Sequence, residues 1–418
     1  MFAWYHQFTA TEKRTFWACF AGWGLDAMDV QIYSFLIPTL VALWGLTTLQ
    51  AGTLGTAALI ASAIGGFGTG LLADRFGRVR LLQIAILWYA LFTFLSGFVT
   101  SYEQLFVMRI LQGLGFGGEW AAGAVLIGET IRSEHRGKAV GCMQSAYAVG
   151  WGLAALLSTI ALTALPQDYA WRVMFWIGIA PALLVLFVRR YVKEPAIFLA
   201  SQAKDHRSAF ERLSAIFAPG MLRITLLSSL LALGIQGSSY AIITWLPTYL
   251  RTVRNLTAAG AGYYVLIVTF GAFCGYIASA YLTDAVGRRR NFVVYAIGCW
   301  VVDFFYMYAP LGNTAVLILG FPFGFFTQGI YASLGPYFTE LFPTRMRATG
   351  QSFAYNFGRS IGACFVLIVG ILNHYMPLDR AIGALSLGGY CLTLVAVFLL
   401  PETLAIELDH GEKPAPTT

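Results

Sequence analysis

The sequence predicts an all-α membrane protein of twelve transmembrane helices in two six-helix bundles, with both termini in the cytoplasm. Three observations predict it. Of 418 residues, 58% are hydrophobic and 11% charged, against roughly 25% charged in an average soluble domain. Twelve apolar stretches each reach the ~20 residues that a bilayer crossing requires. Finally, two charged motifs of the first half recur about 210 residues later, at Gly70 and Ala280 and at Glu129 and Glu340.

The stretches follow one another in a regular order. The first, 15–44, comes after Glu12, Lys13 and Arg14 with no small-residue cleavage site behind it, so a retained helix is expected and not a signal peptide. The second, 49–73, runs into Gly70-Leu-Leu-Ala-Asp-Arg-Phe-Gly-Arg-Val-Arg80. Stretches 80–99 and 104–128 follow, and the fourth ends at Glu129-Thr-Ile-Arg-Ser-Glu-His-Arg-Gly-Lys138. Stretches 138–163 and 171–189 complete the first half. A polar segment, 193–221, with Lys204, Asp205, His206, Arg207, Glu211 and Arg212, separates it from stretch 222–250. The eighth, 257–281, ends in Ala280-Tyr-Leu-Thr-Asp-Ala-Val-Gly-Arg-Arg-Arg290. After 291–309 and 314–339 comes Glu340-Leu-Phe-Pro-Thr-Arg-Met-Arg-Ala-Thr349, and 348–374 and 379–400 close the series. The expected organisation is an N-terminal bundle 1–192, a cytoplasmic linker 193–221, a C-terminal bundle 222–402 and a cytoplasmic tail 403–418. Parallel halves with a site at their interface are a transporter architecture.

Charge fixes the orientation. With the N-terminus inside, 21 of the 27 Lys and Arg fall in cytoplasmic segments, four fall in outer loops, and Arg109 and Arg359 lie inside helices. The net charge of +7 therefore concerns the inner leaflet of the bilayer, and no nucleic-acid partner is expected. The six cysteines lie in predicted helices without paired spacing, which indicates neither a disulfide framework nor a metal site. None of the five histidines is placed for a proton relay at the membrane midplane. Gly113-Leu-Gly-Phe-Gly-Gly118 and Gly65-Gly-Phe-Gly-Thr-Gly70 lie within helices and follow no strand, so they read as close-packing surfaces and not as phosphate loops.

The pattern G-x-x-x-D-R-x-G-R at Gly70 to Arg78, its partner at Asp284 to Arg288, the run Arg109-Ile-Leu-Gln-Gly-Leu-Gly-Phe-Gly-Gly-Glu119 and the closing Pro401-Glu-Thr403 together resemble the major facilitator superfamily over the whole chain. Ala280 stands where the second copy usually begins with Gly, and Lys193-Glu-Pro195 is a shortened form of the usual P-E-S-P. Leu25-Asp-Ala-Met-Asp29 and Gly117-Gly-Glu-Trp120 are similar to the branch of organic-acid and proton symporters that includes sialate, lactate, cis,cis-muconate and aromatic-acid carriers. The resemblance implies the major facilitator fold, with helices 1, 4, 7 and 10 lining a central cavity. It also implies an inner-gate latch at Asp74, Arg75, Gly77 and Arg78, repeated at Asp284 and Arg288. Glu129 with Arg136, and Glu340 with Arg345 and Arg347, are expected to complete that charge network.

Six charges remain inside helices: Asp26, Asp29, Arg109, Glu119, Asp303 and Arg359. A charge at the bilayer centre costs at least about 2.5 kcal/mol, so each needs a partner, a wet cavity or a proton. Asp26 and Asp29 share a face about 60° wide that Tyr33 continues. Two carboxylates so close in a low dielectric do not ionise independently, and the pair is expected to carry a proton over part of a transport cycle. Arg109 either counters this pair or binds a substrate carboxylate. Glu119 is a candidate way-station for the proton. Arg359, with Asn356 and Ser352 on its stripe and no acid in its own helix, is the candidate anchor for a carboxylate. Gln144 with Tyr147 and Trp151, Gln236 with Tyr240, and Gln328 with Tyr331 form stripes that could line the cavity. Asp303 is expected to be structural.

The expected function is import of a small organic carboxylate, such as cis,cis-muconate, an aromatic acid, lactate or sialate, by proton symport with rocker-switch alternating access. The protein is expected to work as a monomer in the bacterial inner membrane, with the lipid bilayer as its other partner, protons as coupling ion and no cofactor. The alternative is a proton-driven efflux antiporter for drugs or cations, with the Asp pair binding the cation. An enzyme is not expected, since no nucleophile, base and orienter set is present.

Overall fold

The computed structural model describes residues 3–131, 133–191, 209–343 and 346–403. Its first bundle contains α1 (Ala10–Trp44), α2 (Thr48–Phe76), α3 (Arg78–Ser96) and α4 (Tyr102–Thr130). It continues with α5 in two pieces (Ser133–Gln144 and Ala146–Ala164) and α6 in two pieces (Gln167–Ile177 and Pro181–Tyr191). The second bundle contains α7 (Pro219–Thr252), α8 (Ala258–Val286), α9 (Arg288–Tyr308), α10 (Asn313–Gly329, a 3-10 turn Ile330–Ser333, then Leu334–Leu341), α11 (Arg347–Leu372) and α12 (Leu378–Leu399). Among the described residues, eleven helices are long and apolar enough to cross a membrane. The remaining one, α4, has 29 residues and so the same reach. The polar segment 193–221 lies outside the described residues as far as 208; Ala209–Ala215 is a short helix, and α7 already begins at Pro219.

Local chemistry sets the starts and breaks. Thr9 caps α1 by accepting from the Glu12 N–H at 3.2 Å, while the Glu12 carboxylate accepts from the Thr9 N–H at 2.8 Å. Gly77 and Gly287, with φ of 99° and 101°, occupy the same left-handed position at the entry to α3 and α9. A residue with a Cβ is strained there, so the repeated glycine is a backbone requirement. In α5 the Ser145 hydroxyl donates back to Cys142 O at 2.6 Å where the helix breaks. Pro181 starts the second piece of α6, and the 3-10 turn of α10 precedes Pro336, which supplies no N–H to the preceding turn.

Small residues set the packing. A Cβ on Gly117 of α4 would overlap Ser62 O of α2, and one on Gly324 of α10 would overlap Val268 O of α8. The same close approach therefore occurs at equivalent places in both bundles.

The bundles meet mainly along two helix pairs, α2 with α11 and α5 with α8, and to a lesser extent where α1 meets α7. Thr56 Oγ1 donates to Ala363 O at 2.9 Å and Thr48 Oγ1 to Gly370 O at 3.1 Å. Toward the outer end, one apolar core runs through both bundles, from Tyr33, Leu36 and Leu40 to Trp245, Leu246 and Val366. Trp245 is fully buried there, wedged against Gly52 of α2 and Gly370 of α11, with its indole N–H donating to Val366 O at 3.1 Å. Toward the inner end the apolar residues form two separate cores, one centred on each bundle.

Candidate functional site

Between the bundles, inside the outer seal, lies a cavity lined by side chains of both halves. The N-terminal bundle lines it with Trp23, Gln31, Tyr33 and Ser34 from α1, Arg109 and Phe116 from α4, and Gln144 and Tyr147 from α5. The C-terminal bundle adds Tyr240 and Thr244 from α7, Tyr276 from α8, Gln328 and Tyr331 from α10, and Tyr355 and Arg359 from α11. Two of these stretches adjoin the helix irregularities. Gln144 and Tyr147 flank the break in α5, and Gln328 and Tyr331 flank the start of the 3-10 turn in α10. Interrupted helices turn polar groups toward a cavity without exposing backbone to lipid.

Arg109 is 3% exposed. Its guanidinium lies 4.6 Å from the centre of the Tyr33 ring, and Nη1 donates to Gln112 Oε1 one turn along α4. The Tyr33 hydroxyl donates to Ala51 O at 2.7 Å, which fixes the ring under the cation. Arg359 is 1% exposed and sits 5.2 Å from the centres of both the Phe116 and Tyr355 rings, with the phenols of Tyr240 and Tyr355 against it. Phe116 belongs to α4, so this cation from the C-terminal half rests on a ring from the N-terminal half.

Several buried polar atoms on the lining side chains have no hydrogen-bond partner among the described residues. They are Trp23 Nε1, Gln31 Nε2, Arg109 Nε, Gln328 Nε2, and Nε and Nη1 of Arg359, against a single acceptor, Gln144 Oε1. Burying such a group unpaired costs about 1–3 kcal/mol, so the arrangement favours an occupant rich in acceptors. Neither Asp26 nor Asp29 is among the lining residues.

Asp29, 1% exposed, is turned into the N-terminal bundle. Its Oδ2 accepts from Thr93 Oγ1 of α3 at 2.6 Å and from Gln112 Nε2 of α4 at 2.6 Å, while Oδ1 faces the Gly178 turn of α6. Gln112 thus stands between Asp29 and Arg109. Asp26 is fully buried, within electrostatic range of Tyr147. The side chain of Glu119 lies outside the described residues.

The other residues named from the sequence divide between the cavity lining and positions behind or away from it. Gln236 donates to Tyr355 O at 2.8 Å and accepts from the Tyr240 hydroxyl at 3.1 Å, so it stands behind two cavity tyrosines and not in the lining. Asn356 donates to Ser352 O at 3.0 Å and faces Gly66 of α2. Gln328 lines the cavity and accepts from the Tyr276 hydroxyl at 3.2 Å. Trp151 is buried in the outer core. Asp303 accepts from the Ser386 hydroxyl between α9 and α12, away from the cavity. Gln112 and Thr93 were not legible in the sequence, since neither carries a charge or belongs to one of the Gln–Tyr stripes.

At the inner end, Arg288 is held by Glu340 through contacts of 2.8–3.2 Å and by Asp284 at 2.9 Å. Thr403 Oγ1 donates to Glu340 Oε2 at 2.5 Å, and Glu402 accepts the N–H groups of Arg288 at 3.0 Å and Arg289 at 3.2 Å. Arg347 donates from Nε to Phe342 O at 3.4 Å. In the first half Gly77 is described, while the side chains of Asp74, Arg75, Arg78, Glu129 and Arg136 lie outside the described residues, as does Arg345.

Comparison with known proteins adds a family profile described as Major Facilitator Superfamily, which matches residues 19–367. The chain is 47% identical over 416 residues to the probable 4-methylmuconolactone transporter of Cupriavidus pinatubonensis, covering 99% of this chain and 96% of that protein. It is 31% identical over 373 residues to the cis,cis-muconate transport protein of Acinetobacter baylyi, covering 87% and 88%. The solved proton:xylose symporter XylE, bound to 6-bromo-6-deoxy-D-glucose, shares the fold with a TM-score of 0.76 at 19% identity, over 96% of this chain and 98% of that one.

Proposed function

This chain belongs to the Major Facilitator Superfamily, and from that premise we propose that it imports a small unsaturated organic acid of the muconolactone or muconate kind together with protons. It does so as a multi-pass protein of the bacterial inner membrane, by exposing the central cavity alternately to either side. The observation that carries this reading is the hydrogen-bonding balance of the lining side chains: among the described residues six of their donor atoms, three of them on guanidinium groups, lack a partner, against one such acceptor. A carboxylate is a pure acceptor that a guanidinium can hold in a bidentate fashion. A cationic drug would bring donors to a surface already full of them, which argues against efflux of cations. The conjugated system of such an acid suits a lining that includes Tyr33, Phe116, Tyr147, Tyr276, Tyr331 and Tyr355. Relatives named for a muconolactone and for muconate support the substrate class.

Arg109 comes from one bundle and Arg359 from the other, so an acid with a second acceptor group, a lactone carbonyl or a second carboxylate, can engage both and draw the halves onto itself. The proton has a physical purpose. An inside-negative potential opposes anion entry by ~2.3 kcal/mol per charge per 100 mV, and one proton carried with each negative charge cancels that opposition. Asp29, adjacent to the Arg109 site but walled off from the cavity, is the group proposed to carry it. Proteoliposomes with a pH-sensitive dye inside test the reading. Addition of 4-methylmuconolactone or cis,cis-muconate outside is expected to acidify the lumen. If neither acid moves protons while both are taken up, symport is wrong, and if neither is taken up, the substrate class is wrong.

A further inference from the structure

We propose that Gln112 is the positioning residue that makes anion binding at Arg109 depend on the charge of Asp29. The inference rests on the symport reading above and assigns its coupling to one amide group. Gln112 is 2% exposed and bridges the two ionic groups, which make no direct hydrogen bond: Arg109 Nη1 donates to its Oε1, and its Nε2 donates to Asp29 Oδ2 at 2.6 Å. The acceptor end of the amide is thus on the cation and its donor end on the carboxylate. That match is best when Asp29 is an anion, since both ends are then charge-assisted. In this state Arg109 is committed to Gln112.

A proton on Asp29 undoes the match. On Oδ2 it would set an O–H against the amide N–H, and the amide relieves two facing donors by turning over, which brings its NH2 to Arg109 and leaves the guanidinium without that acceptor. On Oδ1 it removes the charge that pins the amide. Either way Arg109 is released toward the cavity, where its Nε already has no partner, and it becomes available to a carboxylate. Departure of the anion lets Arg109 recapture Oε1, restores the amide to Asp29 and favours loss of the proton. Proton and anion therefore raise each other's affinity by the same factor. Arg109 of α4 is the charged group that acts on Asp29; α3 contributes Thr93 and α6 the Gly178 turn, neither of which titrates. On α1 itself, Asp26 and Tyr33 lie one turn to either side.

The test measures the dissociation constant of cis,cis-muconate for the purified full chain in nanodiscs at pH 6 and pH 8, for wild type, Gln112→Met and Thr93→Val. Wild type is expected to bind about tenfold more tightly at pH 6, within the usual range of coupling between two sites. Q112M keeps the side-chain length without the amide, and its affinity is expected to be equal at both pH values within about twofold. T93V removes the other donor to Oδ2 but keeps the bridge, so its pH dependence is expected to persist. Gln112→Glu covers the case that Q112M does not fold: its carboxylate holds Arg109 at either pH, and binding is expected to be weak and pH-independent. Wild-type pH dependence in Q112M or Q112E overturns the proposal, as does loss of pH dependence in T93V. Absence of pH dependence in wild type, with no proton uptake, overturns the symport reading itself and is recognisable as such.

Discussion

Arg109 and Tyr33 form a stacked pair across α4 and α1, with the guanidinium 4.6 Å from the ring centre and the phenol tied to Ala51 O of α2 at 2.7 Å. The ring orients the cation while the hydroxyl orients the ring, and the two roles can be separated. Tyr33→Phe keeps the stack and loses the tie, and is expected to weaken muconate binding by no more than about threefold. Tyr33→Leu loses a desolvated cation–π contact of about 2 kcal/mol, and is expected to weaken binding by roughly 30-fold. Isothermal titration of both variants checks the ordering; equal losses would mean that the stack contributes nothing.

Arg359 presents a planar fork between two rings, a geometry that lysine does not reproduce. Arg359→Lys keeps the charge and is still expected to lose at least about tenfold in affinity, equivalent to ~1.4 kcal/mol. Arg359→Ala is expected to abolish uptake. Binding by R359K at the wild-type level would remove the residue from the anion site.

Asp29 and Asp303 are both buried carboxylates inside helices, yet they occupy different surroundings. Asp29 accepts from Gln112, which in turn accepts from the cavity residue Arg109, whereas Asp303 meets Ser386 at the α9–α12 contact. Asp29→Asn is expected to eliminate accumulation driven by a pH gradient while preserving counterflow, which needs no net proton movement. Asp303→Asn should leave coupling intact. Uphill uptake by D29N at the wild-type rate would exclude Asp29 as the proton carrier.

The inner end of α9 is held twice, by side-chain pairing of Arg288 with Glu340 and by Glu402 against the first N–H groups of the helix. A lost helix cap costs ~0.5–2 kcal/mol, so Glu402→Ala is expected to lower the thermal midpoint with muconate affinity unchanged. Glu340→Gln is expected to slow uptake as well, because its partner Arg288 then has Asp284 as its remaining carboxylate contact among the described residues. A normal uptake rate in E340Q would separate this pair from gating.

How far the sequence could be read follows from what kind of signal each feature leaves. Helices were legible because twenty apolar residues have few other uses, and the repeat of Gly77 at Gly287 was legible because a left-handed backbone position admits little else. Buried charge singled out Arg109 and Arg359, both of which line the cavity. Periodicity identifies the face of a helix but not the neighbour that covers it. Gln236 and Tyr240 share one stripe, yet the tyrosine lines the cavity and the glutamine supports it from behind. Asp29 lies one turn from Tyr33 and still points into its own bundle, because Thr93 and Gln112 supply two donors there. Those two residues are distant in sequence from Asp29, and only packing brings the three together. The break at Ser145 was equally hidden, since a serine in an apolar helix more often leaves it intact.

Trp245, wedged between α2 and α11 at the outer end, bears on insulation as much as on shape. If symport is the mechanism, as proposed above, the protein must never offer protons a continuous file of water, since an energised membrane would discharge through it without any cargo moving. The apolar seal around Trp245 makes such a short circuit improbable while the cavity is closed to the outside, and a shaved side chain there would reveal itself as a leak: cells growing poorly on every carbon source, including those this carrier never touches.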